Sequence, residues 1–381
     1  MARATNAIPS AADLRRAFDV PAPMTVGLEE EVMLLHPVTL DLLPRAGDVL
    51  ARCGGDRSVK LELPASQLEL VTRPAATVGE AAVALWGARQ RLARAAEGIG
   101  MLAGAGAHPF TAVEGVLSAA ERYEAMIREY GWVARRQLVF GLHVHVAVRP
   151  SVTALAVYNA LRSYLPELAA LAASAPFHAG VDTGLASVRP KLGENLPRQG
   201  IPPAFASFEE VATELRWGAR AGVLVHAGQW WWELRLHPAF GTIEVRVCDA
   251  QAAVAETAAL AAVIHALCGW LAERCAAGDL SPPAPGWRIE ANRWSACRHG
   301  VHGTLADLCT GEPAPARARL WALLDALDPT AKRLGCGREL TAARRILDDP
   351  APDRHRAVAG TRGLVGLCAE LAARFCEDPL G

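Results

Sequence analysis

The sequence predicts an α+β fold: strands confined to residues 24–250, wrapped by helices, then a helical C-terminal part over 251–381. Three observations carry this. Strand-like runs in the first part place polar residues at every second position, the period of a pleated strand. Ala/Arg/Leu-rich runs of helical period separate those strands. Beyond Gln251 the pattern is almost wholly helical. Of the 381 residues, 51% are hydrophobic, ample for a large core. The organisation that fits best is a lead-in over 1–23 followed by one domain over 24–381.

In chain order, Ala11–Phe18 reads as a short helix ending before Pro21 and Pro23. Met24–Leu35 is a strand, with apolar Val26, Leu28 and Val32–Leu35. Val59–Thr72 reads as two strand pieces around Pro64 and Ala65. Thr77–Ile99 is helical, Met101–Ala107 a short Gly/Ala strand, and Ser118–Gln137 helical. Leu138–Val148 is a strand in which Val139, His143, His145 and Ala147 share one parity. Pro150 opens a long helix to about Ser174, since proline is tolerated at a first turn. Residues 175–206 are rich in Gly and Pro without periodicity, and a loop that long is usually functional. Ser207–His226 is helical. Gln229–Leu236 and Thr242–Val247 form a strand pair around Pro238–Gly241. Pro282, Pro283, Pro285, Pro313 and Pro315 mark connections in the helical remainder.

Composition excludes several function classes. Lys+Arg 39 against Asp+Glu 40 gives a net charge of -1, so no global field draws the chain to nucleic acid or an anionic membrane. Lys60, Lys191 and Lys332 are the only lysines and none lies in a GxxxxGK[ST] frame, which excludes a P-loop. The nine cysteines are scattered with no CxxC pair, which fits reduced thiols better than a disulfide framework or zinc knuckle. Met1–Pro9 has no apolar signal core, and Ala252–Leu271 carries Glu256, Thr257 and His265, poor for a membrane span. A cytoplasmic protein is expected, with no nucleic-acid or membrane partner.

Four constellations can carry chemistry. In Gly27-Leu28-Glu29-Glu30-Glu31, strand alternation points Glu29 and Glu31 the same way. Paired carboxylates on an apolar strand repel and resist desolvation unless a cation joins them; a solvated acidic edge strand is the plainer account. Glu62 and Glu69 bracket the turn at Pro64, with Gln67 sharing the parity of Glu69; both can equally be surface glutamates. In Gly141-Leu142-His143-Val144-His145-Val146 both imidazoles share a face, a common presentation to metal or phosphate, or else a pair of core histidines. On the last strand Thr242, Glu244 and Arg246 share a face, either a surface ion pair or a carboxylate ligand beside a guanidinium for phosphate oxygens. Together they supply five carboxylates and two imidazoles on four strands. Hard oxygen donors with imidazole favour Mg²⁺ or Mn²⁺ over structural zinc. Ions bound to nucleotide phosphates would also replace the missing P-loop.

Taken in order, these motifs resemble the glutamine synthetase / γ-glutamylcysteine synthetase superfamily. Within it they are most similar to the carboxylate–amine ligase family of the glutamate–cysteine ligase 2 type. The stretches that carry the resemblance are TVGLEEE (25–31), ELPASQLELVT (62–72), AHPF (107–110), ERY (121–123), GLHVHV (141–146), SAPFHAGVDTGLASVR (174–189), WWWELRLHPAFGTIEVRVCDAQ (230–251) and NRWSACRHG (292–300). The resemblance implies an antiparallel-rich catalytic sheet of glutamine synthetase type, ATP with Mg²⁺ (or Mn²⁺), and attack of an amine on an acyl phosphate. It implies that Glu31, Glu62 and Glu69 share one metal and that Glu29, His143 and Glu244 hold another. It further implies that Arg246 stabilises the transferring phosphoryl group, that His145 lies near the nucleotide, and that the enzyme is a homodimer. The chain departs from the family pattern at Pro190–Pro197, at His178 and Val181, and at Ala291 and His299. All of these lie outside the metal set, so they bear on the choice of carboxylate and amine substrates, which need not be glutamate and cysteine.

Two other classes fit the same ligands: a metal-dependent hydrolase, for which no extra base is evident, and a non-catalytic ligand-binding relative. Asp182 and Arg189 are the candidates for the amino and carboxylate ends of an amino-acid substrate, or they stabilise their loop. Trp230 and Trp232 face one side and Trp231 the other, for stacking or for packing.

Overall fold

The computed structural model describes residues 8–379; residues 1–7 of the lead-in and residues 380–381 lie outside it. The strands are β1 (Val26–Leu35), β2 (Val59–Leu61), β3 (Gln67–Val71), β4 (Met101–Ala103), β5 (Gly141–Val146), β6 (Phe177–His178), β7 (Val181–Asp182), β8 (Leu234–His237), β9 (Thr242–Asp249), β10 (Thr304–Ala306) and β11 (Pro313–Pro315). Seven of them form one antiparallel sheet in the order β2-β3-β1-β5-β9-β8, with β4 pairing the far end of β1. β6–β7 and β10–β11 are separate small hairpins.

Alternation gives this sheet two unlike faces. Leu28, Val32 and Leu34 of β1, Leu68 and Leu70 of β3, Leu142, Val144 and Val146 of β5, and Ile243 and Val245 of β9 are buried on one face. Helices Val78–Ala96, Ser151–Leu161 and Val254–Ala276 cover that face. Full burial of such side chains stabilises by about 1.5–3 kcal/mol each. Helix Val254–Ala276 is long and apolar enough to cross a membrane, but 83% of its most apolar window is buried inside the fold. Helix starts follow local chemistry: the hydroxyls of Ser10, Thr77 and Ser207 each accept an amide hydrogen bond from the first turn, worth about 1 kcal/mol apiece.

Glu30, the middle residue of the acidic run, belongs to the apolar face. Arg89 donates to both of its oxygens, at 2.8 and 2.7 Å, and Thr257 Oγ1 adds a bond of 2.8 Å. The rest of the guanidinium is spent on the carbonyls of Gln251, Ala252 and Phe375. Both charges are wholly buried and satisfied, so Glu30 is a structural group.

Several expectations shift in detail. The long helix after Pro150 is broken into Ser151–Leu161, a 3₁₀ turn, and Leu165–Ala172. The strand expected from Gln229 starts only at Leu234; Gln229 ends a 3₁₀ turn and Trp230–Glu233 are irregular. Trp230 still packs inward, on Phe205 and Trp232, while Trp231 turns to the opposite side and lines a cavity. The Gly/Pro-rich segment contains β6–β7 and a short helix, Arg189–Gly193. Helix Ala46–Arg52 and the β10–β11 hairpin lack a strong period and are not evident in the sequence.

Candidate active site

The second face of the sheet is polar. Register sets its side chains in rows: Lys60 opposite Glu69, Glu69 opposite Glu31, Glu29 opposite His143, His145 opposite Glu244, and Glu244 opposite Arg235. Between β5 and β9 the register slips, pairing Leu142 with Cys248 but Val144 with Val245. Two residues of β9, Arg246 and Val247, therefore oppose His143. A bulge re-aims side chains, and this one brings Asp249 to the same face as Glu244.

The donors converge. Glu29 Oε2 lies 3.5 Å from His143 Nδ1 and 3.6 Å from His145 Nε2, and the latter is 3.9 Å from Glu244 Oε1. Glu29, His145 and Glu244 offer donor atoms within 4.8 Å of one another, and so do Glu29, Glu69 and His143. His145 Nδ1 is fixed 2.9 Å from Thr242 Oγ1, which leaves Nε2 buried without a hydrogen-bond partner. Glu31 accepts the Gly141 amide at 2.5 Å, and Glu62 accepts from the Tyr123 hydroxyl at 3.0 Å. Glu244 is gripped by Arg235 at 2.6 and 2.9 Å and by Arg246 at 2.5 Å.

The electrostatics are those of a site short of positive charge. Burial, reinforced by the charges of Glu29 and Glu62, pushes the Glu69 carboxyl up to about 8, although Lys60 offsets part of this. Burial also works against ionised Glu29, but the adjacent His143 and His145 imidazoles hold its carboxyl below the usual range. Glu244 likewise resists its burial because Arg235 and Arg246 hold it ionised. Burial, with Arg246 nearby, depresses His143 and leaves its imidazole neutral, the form in which it ligates a metal. A carboxylate-rich set with imidazole, a raised carboxyl and an unpartnered buried imidazole nitrogen fits a hard divalent cation.

Two cavities flank this face. One, of about 190 Å³, is polar and lined among others by Glu31, Glu62, His143, Arg189, Arg246 and Arg293. The other, of about 520 Å³, has mostly apolar walls, including Leu28, Val71, Pro74, Ala147 and Phe240, with Glu29, His145 and Thr242 at its inner end. The expected residues thus meet on one face, Glu31 and Glu62 toward the polar cavity and Glu29 and His145 toward the apolar one. Although Glu31 lies opposite Glu69 in the register, the donor groups differ from the expected partition: Glu29 joins Glu69 and His143 in one, and His145 joins Glu29 and Glu244 in the other.

Arg189 reaches the polar cavity from its short helix. Its guanidinium donates to the carbonyls of Arg246 and Val247 at 3.2 Å each and lies 3.9 Å from Asp249. Nε of Arg189 and Nε of Arg246 are both buried without partners. A Cβ at position 141 would meet the Arg189 guanidinium, so a larger residue there would displace that side chain. Asp182 is a correction. It lies in β7 on the surface, paired with Arg356 at 2.8 and 2.9 Å, and lines neither cavity, so we withdraw it from the substrate set.

Sequence reasoning missed Lys60, Arg235, Glu233 and Arg293. Arg293 is buried, donates to Glu233 at 2.5 and 2.7 Å, and joins the wall of the polar cavity from the helix Gly286–His299. Arg235 was within reach: a hairpin register places it opposite Glu244. Arg293 carried no local signal beyond its place in the NRWSACRHG stretch.

A family model described as glutamate–cysteine ligase family 2 matches residues 25–361. A Rubrobacter xylanophilus protein named "Putative glutamate--cysteine ligase 2-3" is 41% identical over 352 residues, 91% of this chain and 95% of that protein. A Thermobifida fusca protein named "Putative glutamate--cysteine ligase 2" is 37% identical over 353 residues, 90% of this chain and 88% of its own. Among solved structures, the glutamate–cysteine ligase of Francisella tularensis in complex with AMP superposes with a TM-score of 0.68 at 12% identity, covering 96% of this chain and 91% of that one. A bifunctional glutathione synthetase from Pasteurella multocida gives 0.62 at 17% identity, covering 96% and 54%. At these identities the superpositions establish the shared fold.

Proposed function

The chain belongs to glutamate–cysteine ligase family 2, and from that premise we propose that it is an ATP-dependent ligase joining a carboxylate to an amine. The observation that carries this reading is the row of carboxylates and imidazoles lying between an apolar and a polar cavity. The apolar cavity suits a nucleotide base and ribose, and the row its triphosphate. The polar cavity suits the carboxylate and amine.

In this reading the carboxylate oxygen attacks the γ-phosphorus, ADP leaves, and an acyl phosphate forms. The amine nitrogen then attacks the acyl carbon, the C–O bond to phosphate breaks, and amide, phosphate and a proton are released. Glu29, Glu69, His143, His145 and Glu244, with Glu31 and Glu62 alongside, would hold Mg²⁺ or Mn²⁺, which would supply charge neutralisation for phosphate oxygens. Arg246 stabilises the transferring phosphoryl group, and Glu244 orients its guanidinium across the 2.5 Å contact. His145, locked by Thr242, faces the nucleotide cavity. Arg189, with its unpartnered Nε turned among cavity-lining groups, takes the substrate carboxylate. Of the stretches that differ from the family pattern, Pro190–Pro197 contributes Pro190, Gly193 and Leu196 to the lining of that cavity, so the amine need not be cysteine.

The test is ADP release over a panel of amino acids and amines, beginning with glutamate and cysteine. Ligase activity requires ATP, a carboxylate and an amine together, with amide product equal to ADP. Hydrolysis without ATP, or nucleotide binding without turnover on any pair, would overturn the reading.

A further inference from the structure

Lys60 is one of three lysines in a chain with 39 basic residues, and the only one on the site's sheet; Lys191 and Lys332 lie in helices. Its Nζ is 2.8 Å from Glu69 Oε2 and 3.8 Å from Glu29 Oε1. Those carboxylates are two of the three members of the Glu29–Glu69–His143 donor group. A positive charge belonging to the chain itself thus stands against oxygens that suit a divalent ion. A Mg²⁺ ion binds its oxygens at about 2.0–2.1 Å. An ammonium held on the same carboxylate oxygen would lie only a few ångströms from that ion and repel it.

The three side chains differ in freedom. Glu29 and Glu69 are 12% and 8% exposed, fixed on neighbouring strands, whereas the Lys60 side chain is 39% exposed. A lysine carries its charge on a flexible four-carbon stem and is strongly hydrated, so it can swing into water while the carboxylates stay. We propose that Lys60 is a built-in counter-ion: it neutralises the Glu29–Glu69 pair until a divalent cation arrives and is displaced by it. The lysine thereby lowers the affinity of that position for metal. This rests on the metal reading of the site.

The test is Mn²⁺ binding to the full chain at pH 8 without nucleotide, with free Mn²⁺ followed by electron paramagnetic resonance. Lys60→Met should bind Mn²⁺ at least about tenfold more tightly, as removal of a unit charge a few ångströms away requires. Lys60→Gln should shift the same way, and serves if the methionine variant folds poorly. Lys60→Arg keeps the charge and should bind no more tightly than the parent. Unchanged or weaker binding in both neutral variants overturns the proposal, as does tighter binding in the arginine variant. If neither the parent nor any variant binds Mn²⁺, the metal reading itself fails, and the proposal with it.

Discussion

In protein stripped of divalent cations, raising the pH from 6.5 to 8 should destabilise the parent chain relative to its Glu69→Gln variant. The Glu69 carboxyl has an ordinary value of 4.5 and is pushed up to about 8 by burial and by the charges of Glu29 and Glu62. A folded value above the unfolded one means stability that is fully present below 4.5 and lost as pH rises through 8. Each unit of separation is worth about 1.4 kcal/mol, so the loss between 6.5 and 8 is roughly 2 kcal/mol. The buried histidines act in the opposite direction, in the parent and the variant alike. Burial lowers His237 and His355 to about 3, and such groups cost stability as pH falls. The assay is thermal melting with EDTA at pH 6.5, 7.2 and 8, for the parent chain and Glu69→Gln. Because the lowered histidines gain stability over the same range in both proteins, the readout is the difference: the parent should lose a few degrees relative to Glu69→Gln between pH 6.5 and 8, given about 2–4 °C per kcal/mol in medium-sized domains. Saturating Mg²⁺ should bring the parent's profile parallel to the variant's, because a bound cation favours the ionised carboxylate. Parallel profiles for parent and variant in EDTA would refute the assignment of the missing charge to Glu69.

Arg246→Ala should lower kcat by roughly 10²–10³-fold, the usual cost of losing a charge-stabilising donor. Its melting temperature should move little, because Arg235 still holds both oxygens of Glu244; steady-state kinetics beside a melt separates the two effects. Arg189→Ala should raise KM for the carboxylate substrate with ATP binding intact by calorimetry, whereas Asp182→Asn should leave both unchanged because Asp182 pairs with Arg356 outside the cavities. Arg89→Met should destabilise by about 3–5 kcal/mol in a denaturant titration, since it strands a buried Glu30 carboxylate, and added metal should not restore it.

What could be read in advance follows from the period of a strand. Alternation was enough to place Glu29 and Glu31, His143 and His145, and Glu244 and Arg246 on shared faces, because side-chain direction along one strand needs no tertiary information. Grouping across strands needs register, and register depends on turns and bulges. The slip at Leu142–Val144 against Val245–Cys248 brought Asp249 to the face of Glu244, which simple parity denies it. For the same reason the grouping of Glu29 with Glu69 and His143 is not legible in the sequence. The Gly/Pro-rich segment was recognisable as irregular, but nothing local separates Arg189, which enters the cavity, from Asp182, which finds a surface arginine 174 residues away.

The two faces of β1 make the same residue type do opposite things. Glu30 is wholly buried and stable because five groups, Arg89, Thr257 and the carbonyls that hold Arg89, leave neither charge unpaired. Glu29 and Glu31, one residue to either side, emerge on the polar face. There the described partners are imidazoles, a backbone amide and a half-exposed lysine. A core that wanted only stability would complete the second face as it completed the first. Carboxylates left short of positive charge, on a rigid sheet whose other face is packed with apolar side chains, are what the proposed cation site requires.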